Sequence, residues 1–376
     1  MKFLTVIVPT YNMEKYLEKC LSSLIVDDDR LMLLFEVLVI NDGSIDSSSA
    51  IGHRFEKDYP NTFRVIDKEN GNYGSCINAG LKEASGKYLK ILDADDTFDT
   101  KSLQFLLESI IEIDEDLILT NSILIDSKEQ SVYCRQYRDS FIKTSITFEE
   151  FVQKKIHNDI EMHDVAYKRE LLILSNYKQT EGISYTDNEW MFLPMTMVST
   201  IKFVDIVLYK YLVGREGQTI DTNISAKKIH EKLFLCRELY ELYDNFKGAD
   251  IHKRYLYERT MRYWKGIYKL HGTIHDDSEI RLHCFDRDLK KWCGEWSSEM
   301  KNWIWSDNEP FYFIKYFRQG WLYFLSLVLC GEVSDFVNQF KIGYMKYGFV
   351  KKTVINALVC KLIIWNTDDK HNSPNI

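Results

Sequence analysis

The chain has 376 residues, 45% of them hydrophobic and 28% charged, enough to bury one large core or two moderate ones. Its net charge of −8 argues against a nucleic-acid protein, because phosphate binding wants a basic face. The eight cysteines include no CxxC pair, so zinc and redox motifs are not supported and reduced, buried thiols are expected.

The apolar run at the N-terminus, ending at Pro9, is too short for a signal peptide. No stretch reaches the roughly 18 apolar residues that a spanning helix needs. Phe3–Val8 is β-rich and stops at Pro9, so it reads as a first strand. Met13–Leu24 carries Met13, Tyr16, Leu17, Cys20, Leu21 and Leu24 at the spacing of an amphipathic helix. Phe35–Ile40 is a second strand, ending at Asn41-Asp42-Gly43-Ser44. Ser47–Tyr59 is helical, Phe63–Asp67 is a third strand, and Glu69–Gly74 is a glycine-punctuated loop. Cys76–Ala84 predicts a helix closed by Gly86 as a left-handed C′ residue.

Next comes the stretch around which the chain is organised, Tyr88-Leu89-Lys90-Ile91-Leu92-Asp93-Ala94-Asp95-Asp96. A short apolar strand covered on both faces runs straight into three carboxylates. Like charges so placed repel, and their desolvation is costly, so stability alone does not explain them. Asp93 and Asp95 offer hard oxygen ligands at i and i+2, suited to Mg²⁺ or Mn²⁺ shared with substrate phosphates. The alternative is a solvated acidic turn capping a helix that begins near Thr100.

Further on, Asp116–Ile125 and Ile201–Tyr211 read as strands, and His163–Leu174 starts strand-like and turns helical. The stretch Gly182–Val198 carries Tyr185-Thr186-Asp187-Asn188-Glu189-Trp190 ahead of an apolar run. The alternation of strand and helix predicts an α/β fold with a mostly parallel sheet and ligands at the C-terminal strand ends. Pro9-Thr10-Tyr11, Asn41-Asp42 and Asp93-Ala94-Asp95 all fall at such ends. The expected domains are 1–224, a mainly helical 225–365, and a polar, disordered tail over 366–376. No GxGxxG opens the first helix, Gly80 to Lys87 fits a P-loop poorly, and no nucleophile elbow is present.

These motifs have a family likeness. Val6–Asn12, Val39–Asp46, Asn70–Gly74 with Asn78-Ala79-Gly80, Ala84–Tyr88 and Leu92–Asp96 together resemble the family 2 glycosyltransferases of the GT-A fold. The likeness is strong over residues 1 to about 100 and weaker to about 220. It implies a Rossmann-like sheet, a nucleotide-diphosphate sugar donor such as a UDP-sugar, a divalent metal (Mn²⁺ or Mg²⁺) and inversion. Carried over by position, Pro9, Thr10 and Tyr11 line the nucleotide pocket and Asp42 contacts the base or ribose. Asn72 and Gly74 lie in the loop closing over the donor, Asp93 faces the ribose, and Asp95, with Asp93, holds the metal. Asp187 is the implied base. Thr186 stands where the family usually has Glu, which makes Glu189 a substitute. Arg215 is placed to neutralise the leaving diphosphate, with a solvated loop arginine as the alternative.

The expected reaction is transfer of one sugar to a hydroxyl of a glycan or lipid-linked acceptor, of the kind used in building bacterial surface polysaccharides. The competing class is a non-catalytic relative that binds nucleotide sugars or glycans, and release of nucleoside diphosphate would separate the two. A cytoplasmic enzyme is expected. One feature suggests a peripheral membrane contact: Phe336–Thr367 has five lysines and no acid, and Val354, Ile355, Leu358, Val359, Leu362 and Trp365 share one helical face rimmed by Lys352 and Lys361. The competing reading is that 348–365 packs on its own domain.

Overall fold

A computed structural model of the chain describes residues 1–135, 145–215, 218 and 228–273. The chain divides into two compact units, Met1–Ile267 and Tyr268–Ile376, and the described residues fall almost wholly in the first. The stretch 348–365 and the polar tail lie outside the described residues. Among the described residues no helix is long and apolar enough to cross a membrane.

In chain order the strands are β1 (Leu4–Thr10), β2 (Phe35–Asn41), β3 (Phe63–Asp67), β4 (Tyr88–Ile91), β5 (Thr97–Phe98), β6 (Leu117–Ile125), β7 (Ser131–Arg135), β8 (Ile146–Thr147), β9 (Val165–Lys168) and β10 (Thr200–Leu212). The helices are α1 (Leu17–Ser22), α2 (Asp29–Met32), α3 (Ser48–Asp58), α4 (Asn72–Glu83), α5 (Thr100–Ser109), α6 (Phe148–Gln153), α7 (Arg169–Leu174), α8 (Asp187–Trp190), α9 (Ile229–Asn245) and α10 (Asp250–Thr273).

The strands make one sheet in the order β3-β2-β1-β4-β9-β6-β10-β5, with β7 on β6 and β8 on β10. Its first half, β3-β2-β1-β4, is parallel throughout. Every residue of β1 is buried, because helices cover both faces. Alternate side chains serve two cores: Ile7, Leu38, Ile40, Leu89 and Ile91 point into one, and Val6, Val8, Val37, Val39 and Tyr88 into the other. That two-sided burial is why these strands read as continuous apolar runs.

The second half, the return half, adds pairings that alternation alone does not indicate. Strand β9 runs antiparallel to both β4 and β6, while β10 runs parallel to β6 through two register shifts. This turns β10 back so that its end meets the acids after β4: Leu212 N–H donates to Asp96 Oδ1 at 2.7 Å. Beyond the boundary expected at 224, α9 and α10 contribute Leu235, Leu239, Tyr255 and Leu256 to the first core.

Local expectations and structure differ in instructive places. The helix expected from Cys76 begins earlier, at Asn72, whose φ is +66°. Gly86 is not a left-handed cap, since helix α4 ends at Glu83 and Ala84 is already extended. Gly86 is needed for close approach instead: a Cβ there would lie 2.6 Å from the backbone nitrogen of Thr5. Helix α5 takes Asp99 as its N-cap, whose side chain accepts from Ser102 N–H at 3.0 Å. Asp95 and Asp96 are therefore not capping residues.

Candidate active site

The C-terminal ends of β1, β2 and β4 lie side by side, as the parallel register requires; β1 and β2 end in Thr10 and Asn41, and β4 leads through Leu92 to Asp93. Asp42 N–H donates to Thr10 O at 2.8 Å, fixing the segment after β2 against the end of β1. The Asp42 carboxylate is only 2% exposed and accepts from Lys68 Nζ at 2.5 Å and from Gly71 N–H at 3.0 Å. Lys68 also donates to Ser75 Oγ at 2.9 Å. The Asx turn that leads into α3 belongs to Asp46, which accepts from Ser48 N–H at 3.0 Å, and not to Asp42. Thr10 is buried, whereas Tyr11 is exposed at the mouth of this end.

The first turn of α4 crosses above the end of β4. Tyr73 Oη donates to Asp93 Oδ1 at 2.9 Å. Gly74 is backed against the chain near residue 180, and a Cβ there would lie 1.9 Å from Thr180 O. No side chain fits, so this glycine sets how closely the 179–182 segment packs on α4. Asn78 completes the junction: it donates to Gln179 O and accepts from Gln179 N–H, both at 2.8 Å. Asn72 is exposed at the start of the helix.

The three acids after β4 have distinct surroundings. Asp96 is 1% exposed and accepts from Tyr209 Oη and Leu212 N–H, each at 2.7 Å. Burial, then the nearby charges of Asp95 and Asp93, hold its carboxyl well above the usual range. Asp95 pairs with Arg215 Nε, and that guanidinium also lies 5.3 Å from the centroid of the Tyr16 ring. Asp93 is half-buried, and its carboxyl is pushed up to about 7, first by burial and then by the charge of Asp95. These are carboxylates crowded without enough positive charge to keep them all ionised.

His163 joins them. One ligand atom from each of Asp93, Asp96 and His163 lies within 4.8 Å of the others. The imidazole stacks on Tyr211 with centroids 4.8 Å apart and meets Tyr209 at 4.7 Å. Below it, Lys90 is 1% exposed and donates to His163 O at 2.7 Å, so a buried amine, its pKa pulled down to about 7 by burial, fixes this turn of backbone. Two carboxylates and an imidazole suit a divalent cation, and the raised Asp93 is what a cation would correct. The expected ligand pair Asp93 and Asp95 is thus divided: Asp93 stands with Asp96 and His163, and Asp95 with Arg215. No spacing signal marks His163, which follows Asp96 by 67 positions and is brought to it by the antiparallel β9.

Asp187 opens the short helix α8, with Thr186 as N-cap residue but no side-chain cap bond. Its carboxyl is pushed up to about 6, first by burial and then by Glu161, while Lys232 pulls the other way. It also lies within electrostatic reach of Tyr73 and Asp93. Glu189 is occupied elsewhere: its two oxygens accept from Thr180 N–H at 2.7 Å and Thr180 Oγ1 at 2.6 Å. Trp190 is fully buried and packs edge-on against Tyr167 and Tyr177, anchoring α8 from below. Asp42, Asp93, Asp95 and Arg215 therefore share one end of the sheet with Asp187, and Glu189 braces the loop beside them.

Residues 5–172 match the family model described as Glycosyl transferase family 2. Among curated proteins the chain is similar to glycosyltransferase GlyA of Streptococcus pneumoniae, 33% identical over 138 residues, or 37% of this chain and 19% of GlyA. It is 25% identical over 233 residues to the uncharacterized glycosyltransferase YibD of Escherichia coli, covering 61% of this chain and 64% of YibD. A longer match, 25% identical over 300 residues, joins 76% of this chain to 94% of glycosyltransferase GlyG of S. pneumoniae. The chain thus spans less than two thirds of the length of GlyA and of YibD. Among solved structures, S. aureus TarS 1–349 superposes with a TM-score of 0.57 at 20% identity, over 78% of this chain and 81% of TarS 1–349. Its complex with UDP-GlcNAc gives a TM-score of 0.53 at 21% identity, over 74% of this chain and 83% of the other. At these identities the likeness is one of fold.

Proposed function

We propose that this chain, which belongs to the family 2 glycosyl transferases through residues 5–172, moves one sugar from a nucleoside-diphosphate donor to a hydroxyl of a glycan or lipid-linked acceptor, with inversion. The observation that carries the proposal is the meeting of Asp93, Asp95 and Asp96 with Asp187 at one end of the sheet, two of these carboxyls pushed up to about 7 and about 6. A UDP-sugar is the donor class proposed first, by analogy with the UDP-GlcNAc bound to TarS.

In this reading Pro9, Thr10 and Tyr11 border the nucleotide, and Asp42, braced by Lys68, accepts from its base or ribose. Asp93 and Asp96, with His163, would hold a divalent cation, and Asp95 would join when Arg215 turns from it to the diphosphate. When bound, the cation supplies positive charge against the leaving phosphate oxygen. Asp187 takes the proton of the acceptor hydroxyl as its oxygen bonds to the anomeric carbon and the bond to the diphosphate breaks. A carboxyl near pH 6 suits that task, being ionised at neutral pH yet more basic than a free carboxylate. Asn72, Gly74 and the segment around Arg215 flank the donor and exclude water.

The test is calorimetric titration of the full chain with UDP, with and without Mn²⁺, alongside measurement of UDP release from UDP-sugars. Wild type should bind UDP more tightly with Mn²⁺, and Asp95→Asn or Asp93→Asn should abolish that difference. Metal-independent binding with unchanged affinity in both variants would place the donor site elsewhere.

A further inference from the structure

Among the described residues, two polar groups within electrostatic reach of Asp187 have no hydrogen-bond partner, and both come from helices outside the residues matched to the family. Lys232 lies on α9, half-buried, with Nζ 4.0 Å from the centroid of the Tyr185 ring. It stands within electrostatic reach of Asp187, yet among the described residues its ammonium makes no hydrogen bond or ion pair. Tyr263 lies on α10, and its Oη is sealed from solvent with no hydrogen-bond partner. The same phenol is close enough to Asp187 and Tyr185 to feel their charges. Tyr185 itself is held at φ +67°, a conformation that is costly for an aromatic residue.

A buried phenol without an acceptor is unfavourable in a native structure, and a half-buried ammonium that faces only an aromatic ring beside the same carboxyl points with it to a ligand that completes both. The chemistry of that ligand follows from the neighbours. Asp187 and Glu161 repel an anion at this place, and an apolar group would leave both donors unsatisfied. A neutral, hydroxyl-rich ring satisfies an ammonium and a phenol together, and it sits naturally beside an aromatic side chain.

We infer that Lys232, Tyr263 and Tyr185 form the subsite for the sugar ring that carries the accepting hydroxyl, an inference that rests on the glycosyl-transfer reading above. Lys232 and Tyr263 donate to ring hydroxyls and so hold the attacking oxygen against Asp187. Acceptor choice then resides in α9 and α10, beyond the segment 5–172 that carries the family signature.

The experiment uses the full chain with UDP and Mn²⁺ and a panel of neutral methyl glycosides, with methyl glucuronide as the anionic comparison. Binding is read by saturation-transfer NMR on wild type, Lys232→Met and Tyr263→Phe. At least one neutral glycoside should bind, and each variant should weaken it about tenfold, the worth of one well-placed hydrogen bond. UDP affinity should change less than about twofold, and Tyr263→Phe should keep or raise thermal stability, because it removes an unsatisfied hydroxyl. A purely structural tyrosine would lower stability and leave glycoside affinity alone. No neutral glycoside bound by wild type, binding of methyl glucuronide alone, or unchanged affinity in both variants would overturn the subsite. Glycoside binding lost in the variants, with no UDP released from any UDP-sugar by wild type, would retain the subsite and sink the transfer reading.

Discussion

The parallel half of the sheet and the return half hold their carboxylates differently. In the parallel half, Asp42 is buried but answered, with Lys68 Nζ at 2.5 Å and Gly71 N–H at 3.0 Å. In the return half, Asp187 sits at the start of a four-residue helix, forms no ion pair among the described residues, and has its carboxyl pushed up to about 6 although Lys232 and Arg259 pull the other way. Asp93, where the halves meet, is pushed up to about 7. A carboxylate with fixed donors is a rigid acceptor, suited to holding a nucleotide. One left short of positive charge takes up protons or cations readily, which suits chemistry. On the proposed reading, the same residue type serves binding or reaction according to what surrounds it.

The largest expected effect comes from breaking the reactive end. Asp187→Asn should lower turnover by roughly 10²–10⁴, with donor affinity kept, in steady-state release of nucleoside diphosphate. The comparison sharpens further with pH. A base must be ionised, so wild-type turnover should fall about tenfold per pH unit below about 6 and level off above it. Asp187→Asn should lack that limb. Stability runs the opposite way. The native chain keeps a proton on Asp187 that the unfolded chain releases above about 4. The stability this lends the ligand-free protein is full below about 4 and is lost as pH rises through about 6.

Next in size is the junction between the halves. Gly74→Ala would place a Cβ 1.9 Å from Thr180 O, against backbone that cannot rotate away. Urea denaturation should show a loss of about 1–3 kcal/mol or more, the usual range for overpacking. A neutral result would mean that the 179–182 segment floats over α4 instead of being fixed by it.

A smaller effect is expected at the cation of the binding end. Arg215→Gln should raise the donor KM about tenfold, since a charge-assisted contact to diphosphate is worth roughly 1.5–3 kcal/mol. An unchanged KM would leave Arg215 as a counterion to Asp95 alone. Smallest is Glu189→Gln, which gives up one charge-assisted bond to Thr180 and should cost about 1–2 kcal/mol of stability while turnover stays near wild type. A large loss of turnover there would move the base from Asp187 to Glu189.

Much of the parallel half was legible in the sequence because its signals are local. The apolar runs at Val6, Val37 and Leu89 are buried on both faces, and polar residues at their ends must cluster once the strands run parallel. Asp42 and Asp93 could therefore be singled out by position alone. The return half was less legible because its pairings join distant segments. Nothing near His163 announces that β9 will run antiparallel to β4 and carry that imidazole to Asp93 and Asp96. Nor does a helical pattern at 229–245 show that Lys232 will come within electrostatic reach of Asp187. Composition and periodicity determined which strands form and where their acids emerge, since burial and backbone geometry act over a few residues. Which of those acids would be neutralised by a partner, and which left to hold a proton or a metal, was decided by tertiary packing, because electrostatic neighbours are set by distance in space and not along the chain.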